Sequence, residues 1–247
     1  MTNPSKEYRD RGIITDEETD LLLNTADLIK NEYFKLRSKA IVATAKVFGK
    51  RESEIARLEM KKINNTSSTL ELTFSLSKKR KKGLFQFIEF LKNHDPEKLK
   101  LPLPEIETLW KLWQDTQDGH RIRDSESLKS VDLNDKYGKH LVAYYDYMKT
   151  QYPNTLYLFP SGKTVFGKSY IVYGGEHLHP KGLLRLLKEL KSDTWMHLYR
   201  ETKGAQVARE KGRNLDSVYA VKDTLDLSDE TTAYNYVKRF VAKKEHS

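Results

Sequence analysis

Residues 69–76, TLELTFSL, alternate strictly, placing Leu70, Leu72, Phe74 and Leu76 on one side and polar groups on the other. A period of two sends successive side chains to opposite faces, so the segment is a half-buried strand. The cationic run SKKRKKG follows it, and LFQFIEFL then reads as the returning strand of a β-hairpin with a lysine-rich tip. Most other apolar patterns in the chain repeat at helical spacing. The predicted fold class is therefore mainly α with one small antiparallel β-sheet (α+β).

The helical segments are set by their punctuation. Thr15 and Glu18 form a T-x-x-E capping box, and an apolar pattern through Leu21, Leu22, Leu28, Ile29 and Leu36 follows as helix. AIVATAKV is a second helical run, closed by Gly49, and KRESEIARLEM reopens a helix with Ile55, Leu58 and Met60 facing inward. A Trp-containing helix lies around Trp110 and Trp113. Residues 115–135 are polar and read as loop, and PNTLYLFPSGKT runs from a short extended segment into a loop. HLVAYYDYMKT and GLLRLLKELK are helical. The last third is helical too, broken near Gly212 and at LDLSDE. No internal repeat appears. Residues 1–12 read as a flexible polar tail and 13–247 as one domain.

The chain has 247 residues, 44 Lys and Arg against 35 Asp and Glu, and a formal charge of +9. An excess of that size points to a polyanionic partner, nucleic acid first. No cysteine is present, which removes disulfides, thiolate metal sites and a cysteine nucleophile. No run of about 18 apolar residues and no signal segment is found, so a cytoplasmic protein with no membrane span is expected.

Four stretches carry candidate chemistry. SGKT at 161–164 has the end of a phosphate-binding loop, but Tyr157 stands where that loop needs its first glycine, so nucleotide binding is not expected. HLH at 177–179 lacks a completing ligand and reads as loop histidines rather than a metal site. His197 and Arg200 in TWMHLYRET are three apart, on one face of a helix, where imidazole and guanidinium together suit a phosphate. Arg51 stands at a helix start just after a glycine, another place that favours phosphate, and Glu54 is placed either in solvent or against an arginine.

The order of these pieces resembles the catalytic domain of the tyrosine recombinases, the phage-integrase family. GKRESEIARLEMKKI matches the family's G-x-R-x-S-E-x-x-x-L motif with Arg51 as its first arginine. LTFSLSKKRKKG matches the hairpin that carries the catalytic lysine, with Lys78 the first choice and Lys79 the second. HLYR matches the second box, with His197 and Arg200. The nucleophile would be Tyr236 in LDLSDETTAYNYV, where Leu227 stands in place of the usual histidine or tryptophan. The resemblance spans roughly 13–241, with little of it in 105–155.

The resemblance implies a site-specific recombinase or integrase acting in DNA integration or recombination, such as that of a mobile element. Its partner would be double-stranded DNA, with self-association into a tetramer on that DNA. The chemistry would pass through a 3′-phosphotyrosine without metal, cofactor or ATP. A type IB topoisomerase shares this chemistry and a similar fold. A DNA-binding relative that has lost catalysis at Leu227, or a basic helical adaptor, is the reading from other classes. The family's separate N-terminal helical domain has no counterpart in the roughly dozen residues before 13, which implies a fragment or a clamp supplied from elsewhere. Tyr234 is the competing phenol. Two residues on a helix differ by about 200°, so the two tyrosines face opposite ways. Tyr234 shares a stripe with Val237 and Val241 and is expected to face the core, leaving Tyr236 for the site.

Overall fold

The computed structural model describes residues 13–165, 169–194, 196–212, 214–227 and 230–241, without the side chains of 77–80, 121–124, 163–165, 169–171, 173 and 241. The expected tail at 1–12 and the side chains of Lys78 and Lys79 lie outside the described residues. Contacts divide the chain into two compact units: one built from the segments ending at Phe74 and starting at Ser127, the other spanning Ser75–Glu126.

In the first unit, α1 (Asp16–Asp27) begins at the expected capping box, in which Thr15 Oγ1 accepts from Glu18 N–H and Glu18 accepts from Thr15 N–H. The single helix expected through Leu36 is in fact two. α1 stops at Leu28, and Asn31 caps α2 (Glu32–Phe48) by accepting from Phe34 N–H at 3.1 Å. A local asparagine cap outcompetes a continuous apolar pattern, and Leu28 is left exposed. α2 is the spine of the unit: Ala40, Ile41, Val42, Ala43 and Ala45 are wholly buried, and the helix packs against α1, α6 (Gly138–Gln151) and α8 (Met196–Lys211). Gly49 ends α2 with φ +58°, the left-handed conformation that glycine adopts without a Cβ penalty. The next helix, α3 (Glu52–Ala56), is shorter than expected. Ile55 and Leu58 are fully buried, whereas Met60 is only partly so and opens a 3₁₀ turn.

β1 (Ile63–Asn65) pairs antiparallel with β2 (Thr69–Lys81), with Ile63 opposite Leu72. Leu70, Leu72 and Phe74 are fully buried, as the alternation requires. The third strand of this sheet, ordered β1-β2-β3, is β3 (His120–Asp132). It lies in the stretch read as loop. LFQFIEFL, read as the returning strand, is instead helix α4 (Leu84–His94). Its Phe87 and Leu91 are four apart, bury together, and set a helical period that the aromatic content had masked.

The second unit consists of the outer parts of β2 and β3 with α4, a 3₁₀ turn at Pro96–Lys100 and α5 (Leu103–Trp113) between them. It has its own small core of Phe87, Leu91, Ile106 and Trp113. Trp110 Nε1 and Gln114 Nε2 both donate to the Lys82 carbonyl, at 3.1 and 2.9 Å.

A second antiparallel sheet, β4 (Pro160–Val165) with β5 (Ser169–His177), occupies the SGKT stretch. Gly162 and Lys163 lie opposite Val172 and Ile171 in strand pairing rather than in a loop around phosphate. His177 ends β5, and His179 caps α7 (Pro180–Leu190). The last three helices, α8, α9 (Leu215–Thr224) and α10 (Glu230–Val241), pack on one another. Among the described residues, no helix is long and apolar enough to cross a membrane, and no group of three or more His, Cys, Asp or Glu is placed to hold a metal ion.

Candidate active site

Three distant stretches of the first unit meet where α2 ends. Arg51 is placed by the turn at Gly49, and both oxygens of the buried Glu54 carboxylate hold it. Oε2 accepts from the Arg51 backbone N–H at 2.9 Å, and Oε1 accepts from its guanidinium at 2.7 Å. Of the two places left open for Glu54, the structure takes the one against the arginine. The Arg51 side chain remains 37% exposed, fixed yet available to a ligand.

Arg200 is a buried charge, at 2% exposure. Its guanidinium donates to the carbonyl of Gly49 at 3.0 Å and to the carbonyl of Leu225. Two neutral acceptors orient the group, and the nearby Glu54 and Asp226 carboxylates favour its charged form. Burial lowers the Arg200 pKa, and the nearby Arg51 charge lowers it further. Arg51 acts on Arg200 more strongly than Glu54 opposes it, and a bound anion would relieve that repulsion.

Tyr236 on α10 stands beside them. Burial raises its phenol above the ordinary 10.0, while the charges of Arg200 and Arg51 pull the other way. Its ring lies along Gly204 of α8, where a Cβ would come within 2.6 Å of Cδ1. Only glycine admits the ring at this depth. Tyr234, expected in the core, is instead 51% exposed. The buried stripe of α10 is Ala233, Val237 and Phe240, one residue out of phase with the expected one. Leu227 joins Val218, Val221, Leu225, Ala233 and Val237 in the core beneath this helix, where it anchors α10.

His197 is not drawn into the same cluster directly. It is 60% exposed, and its Nε2 lies 3.3 Å from Glu201 Oε1, one turn along α8. That oxygen also accepts from Arg239 Nη1 at 3.0 Å. Burial raises the Glu201 pKa, but His197 and Arg239 outweigh it, so the carboxyl is held below its usual 4.5. Glu201 therefore links the histidine to the tyrosine's helix, and its charge also acts on Tyr236. Neither Glu201 nor Gly204 was singled out from the sequence. The i, i+4 spacing of His197 and Glu201 was a readable signal, whereas nothing local marks Gly204.

Two guanidiniums and a phenol within electrostatic reach can bind a phosphodiester and bring an oxygen nucleophile to it. No protein-family model matches the chain, and no curated protein matches it in sequence. Solved structures do match in fold, two of them complexes of one recombinase. One is the site-specific recombinase XerH bound to difH substrate in a pre-cleavage complex, with TM-score 0.53 and 12% identity over 96% of this chain. The other is XerH bound to palindromic difH in a post-cleavage complex, with TM-score 0.54 and 11% identity over 94% of this chain. The chain spans about half the length of these proteins, 52% and 51% of them. The mainly helical architecture with small antiparallel sheets is thus a fold that this chain shares with those recombinase structures.

Proposed function

We propose that the chain is a site-specific DNA recombinase that cleaves and rejoins strands through a 3′-phosphotyrosyl intermediate, with Tyr236 as nucleophile. The observation that carries this reading is the convergence of Arg51, Arg200 and Tyr236 from three separate segments. Arg51 and Arg200 bind the nonbridging oxygens of the scissile phosphate and stabilise the charge that grows there. Tyr236 Oη attacks phosphorus and gives up its proton, the bond from phosphorus to the 5′-oxygen breaks, and the 5′-hydroxyl leaves. His197 assists as donor or base, held by Glu201. Lys78 supplies the proton to the leaving oxygen, with Lys79 as the alternative. A 5′-hydroxyl then attacks the phosphotyrosyl ester and restores the diester. The ester conserves the bond, so rejoining calls for neither ATP nor a metal cofactor. The expected partners are double-stranded DNA and further copies of the chain, assembled as a tetramer on it.

Covalent trapping tests this. The protein is incubated with nicked suicide duplexes, denatured, and assayed for a protein–DNA adduct. An adduct is expected in the parent chain and in Tyr234→Phe, and none in Tyr236→Phe. An adduct that survives Tyr236→Phe but vanishes in Tyr234→Phe reverses the assignment. Relaxation of supercoils without site dependence favours topoisomerase chemistry.

A further inference from the structure

Lys50 is fully buried, directly before the arginine at the end of α2. Its ammonium bonds the carboxylate of Asp226, 176 residues away, and donates to Ser127 Oγ at 3.1 Å. Ser127 Oγ in turn donates to the other Asp226 oxygen at 2.8 Å. Asp226 has φ +48°, which side chains other than glycine rarely adopt. The molecule thus keeps a buried charge and a strained backbone at one spot. Such outliers persist where the surroundings hold them for a purpose.

The neighbouring residues indicate the purpose. The two carbonyls that orient Arg200 belong to Gly49 and Leu225. Each immediately precedes one end of the ion pair, Lys50 or Asp226. The bond from Lys50 to Asp226 therefore ties together the two backbone segments that aim the Arg200 guanidinium. Lys129 braces the same turn, donating to the Asp223 carbonyl at 2.9 Å with its ammonium 3.6 Å from Asp226.

We propose that Lys50, Asp226 and Ser127 form a buried clamp that positions Arg200, so that these three act on strand cleavage without touching DNA. The catalytic consequence rests on the recombinase reading above, whereas the positioning does not. Removing one charge would strand the other in the core, so the test uses the doubly neutral variant Lys50→Met/Asp226→Asn. Asparagine tolerates positive φ.

In the full chain labelled with 15N-arginine, the Arg200 guanidinium signals are identified by their loss in Arg200→Lys. Parent protein is expected to give separate, slowly exchanging Nη signals. The double variant should melt cooperatively yet show those signals merged by rotation, with Ser127→Ala giving a smaller change of the same kind. Single-turnover adduct formation at saturating nicked duplex should fall about 10- to 100-fold, with half-saturation unchanged. Unaltered Arg200 signals in the double variant overturn the clamp, whatever the adduct shows. Altered signals in a protein whose parent makes no adduct uphold the clamp and sink the recombinase reading.

Discussion

The two compact units solve their packing problem at different ranges. In Ser75–Glu126 the core is local: Phe87, Leu91, Ile106 and Trp113 come from two neighbouring helices, and the Phe87 and Trp113 rings lie 5.1 Å apart. Large apolar groups remain outside, with Phe85, Leu103 and Leu112 exposed. The first unit does the opposite. It buries Lys50, Glu54 and Arg200, and each finds its partners across the chain or within a fixed turn. The core of the small unit is apolar, while oriented polar contacts are built into the interior of the larger one. Only the second kind of interior can aim a charge.

The comparison breaks most directly at Trp113. Trp113→Ala should cost about 3–5 kcal/mol, confined to the small unit. Hydrogen exchange should accelerate within 84–113 and stay unchanged in α8. Equal acceleration in α8 would mean that the two interiors are one cooperative structure. Arg200→Lys probes the other side. Charge is kept, but one ammonium cannot reach two carbonyls and a phosphate in the same plane. The rate of adduct formation should drop about 10²–10³-fold, with melting changed far less. A lysine variant at parental rate would show that charge suffices and aim does not matter.

The same contrast explains what could be read in advance. The candidate residues were legible because phosphate chemistry demands particular side chains: Arg51, His197, Arg200 and Tyr236 stand out by type and order. Their supports were not. Gly204 matters only because a ring arrives from 32 positions away in sequence, as Tyr236 does. Lys50 and Asp226 reveal their pairing only once α2 and the turn before α10 are in place. In the small unit, even element type was missed. Aromatic-rich LFQFIEFL suits a strand as well as a helix, and 120–132 pairs as a strand despite its polar composition. Tyr234 was misassigned by a single residue of helical phase, because Val237 fits either stripe.

Gly204→Ala sharpens the account of the larger interior at atomic scale. The new methyl would sit 2.6–2.9 Å from the Tyr236 ring and Leu225. One of them must move, at about 1–3 kcal/mol. Because α8 is also packed against α2, α10 should yield rather than α8. Exchange should rise in 230–241, and adduct yield should fall about tenfold as the phenol leaves the guanidiniums. Unchanged exchange in α10 would place the adjustment at Leu225 instead.

The smallest effect concerns the tether between α8 and α10. Glu201 holds Arg239 and His197 with a carboxyl whose pKa lies below the usual 4.5. A group depressed on folding lends stability above its unfolded value and loses it as pH falls through its folded one. The docking of α10 should therefore be insensitive to pH where Glu201 is ionised, above about pH 5, and weaken below 4.5. The tether is partly solvated, so the loss should stay under about 1 kcal/mol. Exchange of α10 amides across this range should show the step, and Glu201→Gln should abolish it while leaving α10 looser than in the parent wherever the parent carboxyl is ionised. If the glutamine variant keeps the step, another carboxylate holds the helix. His197 would then be free of the tyrosine's helix, and the two could not be positioned by one side chain.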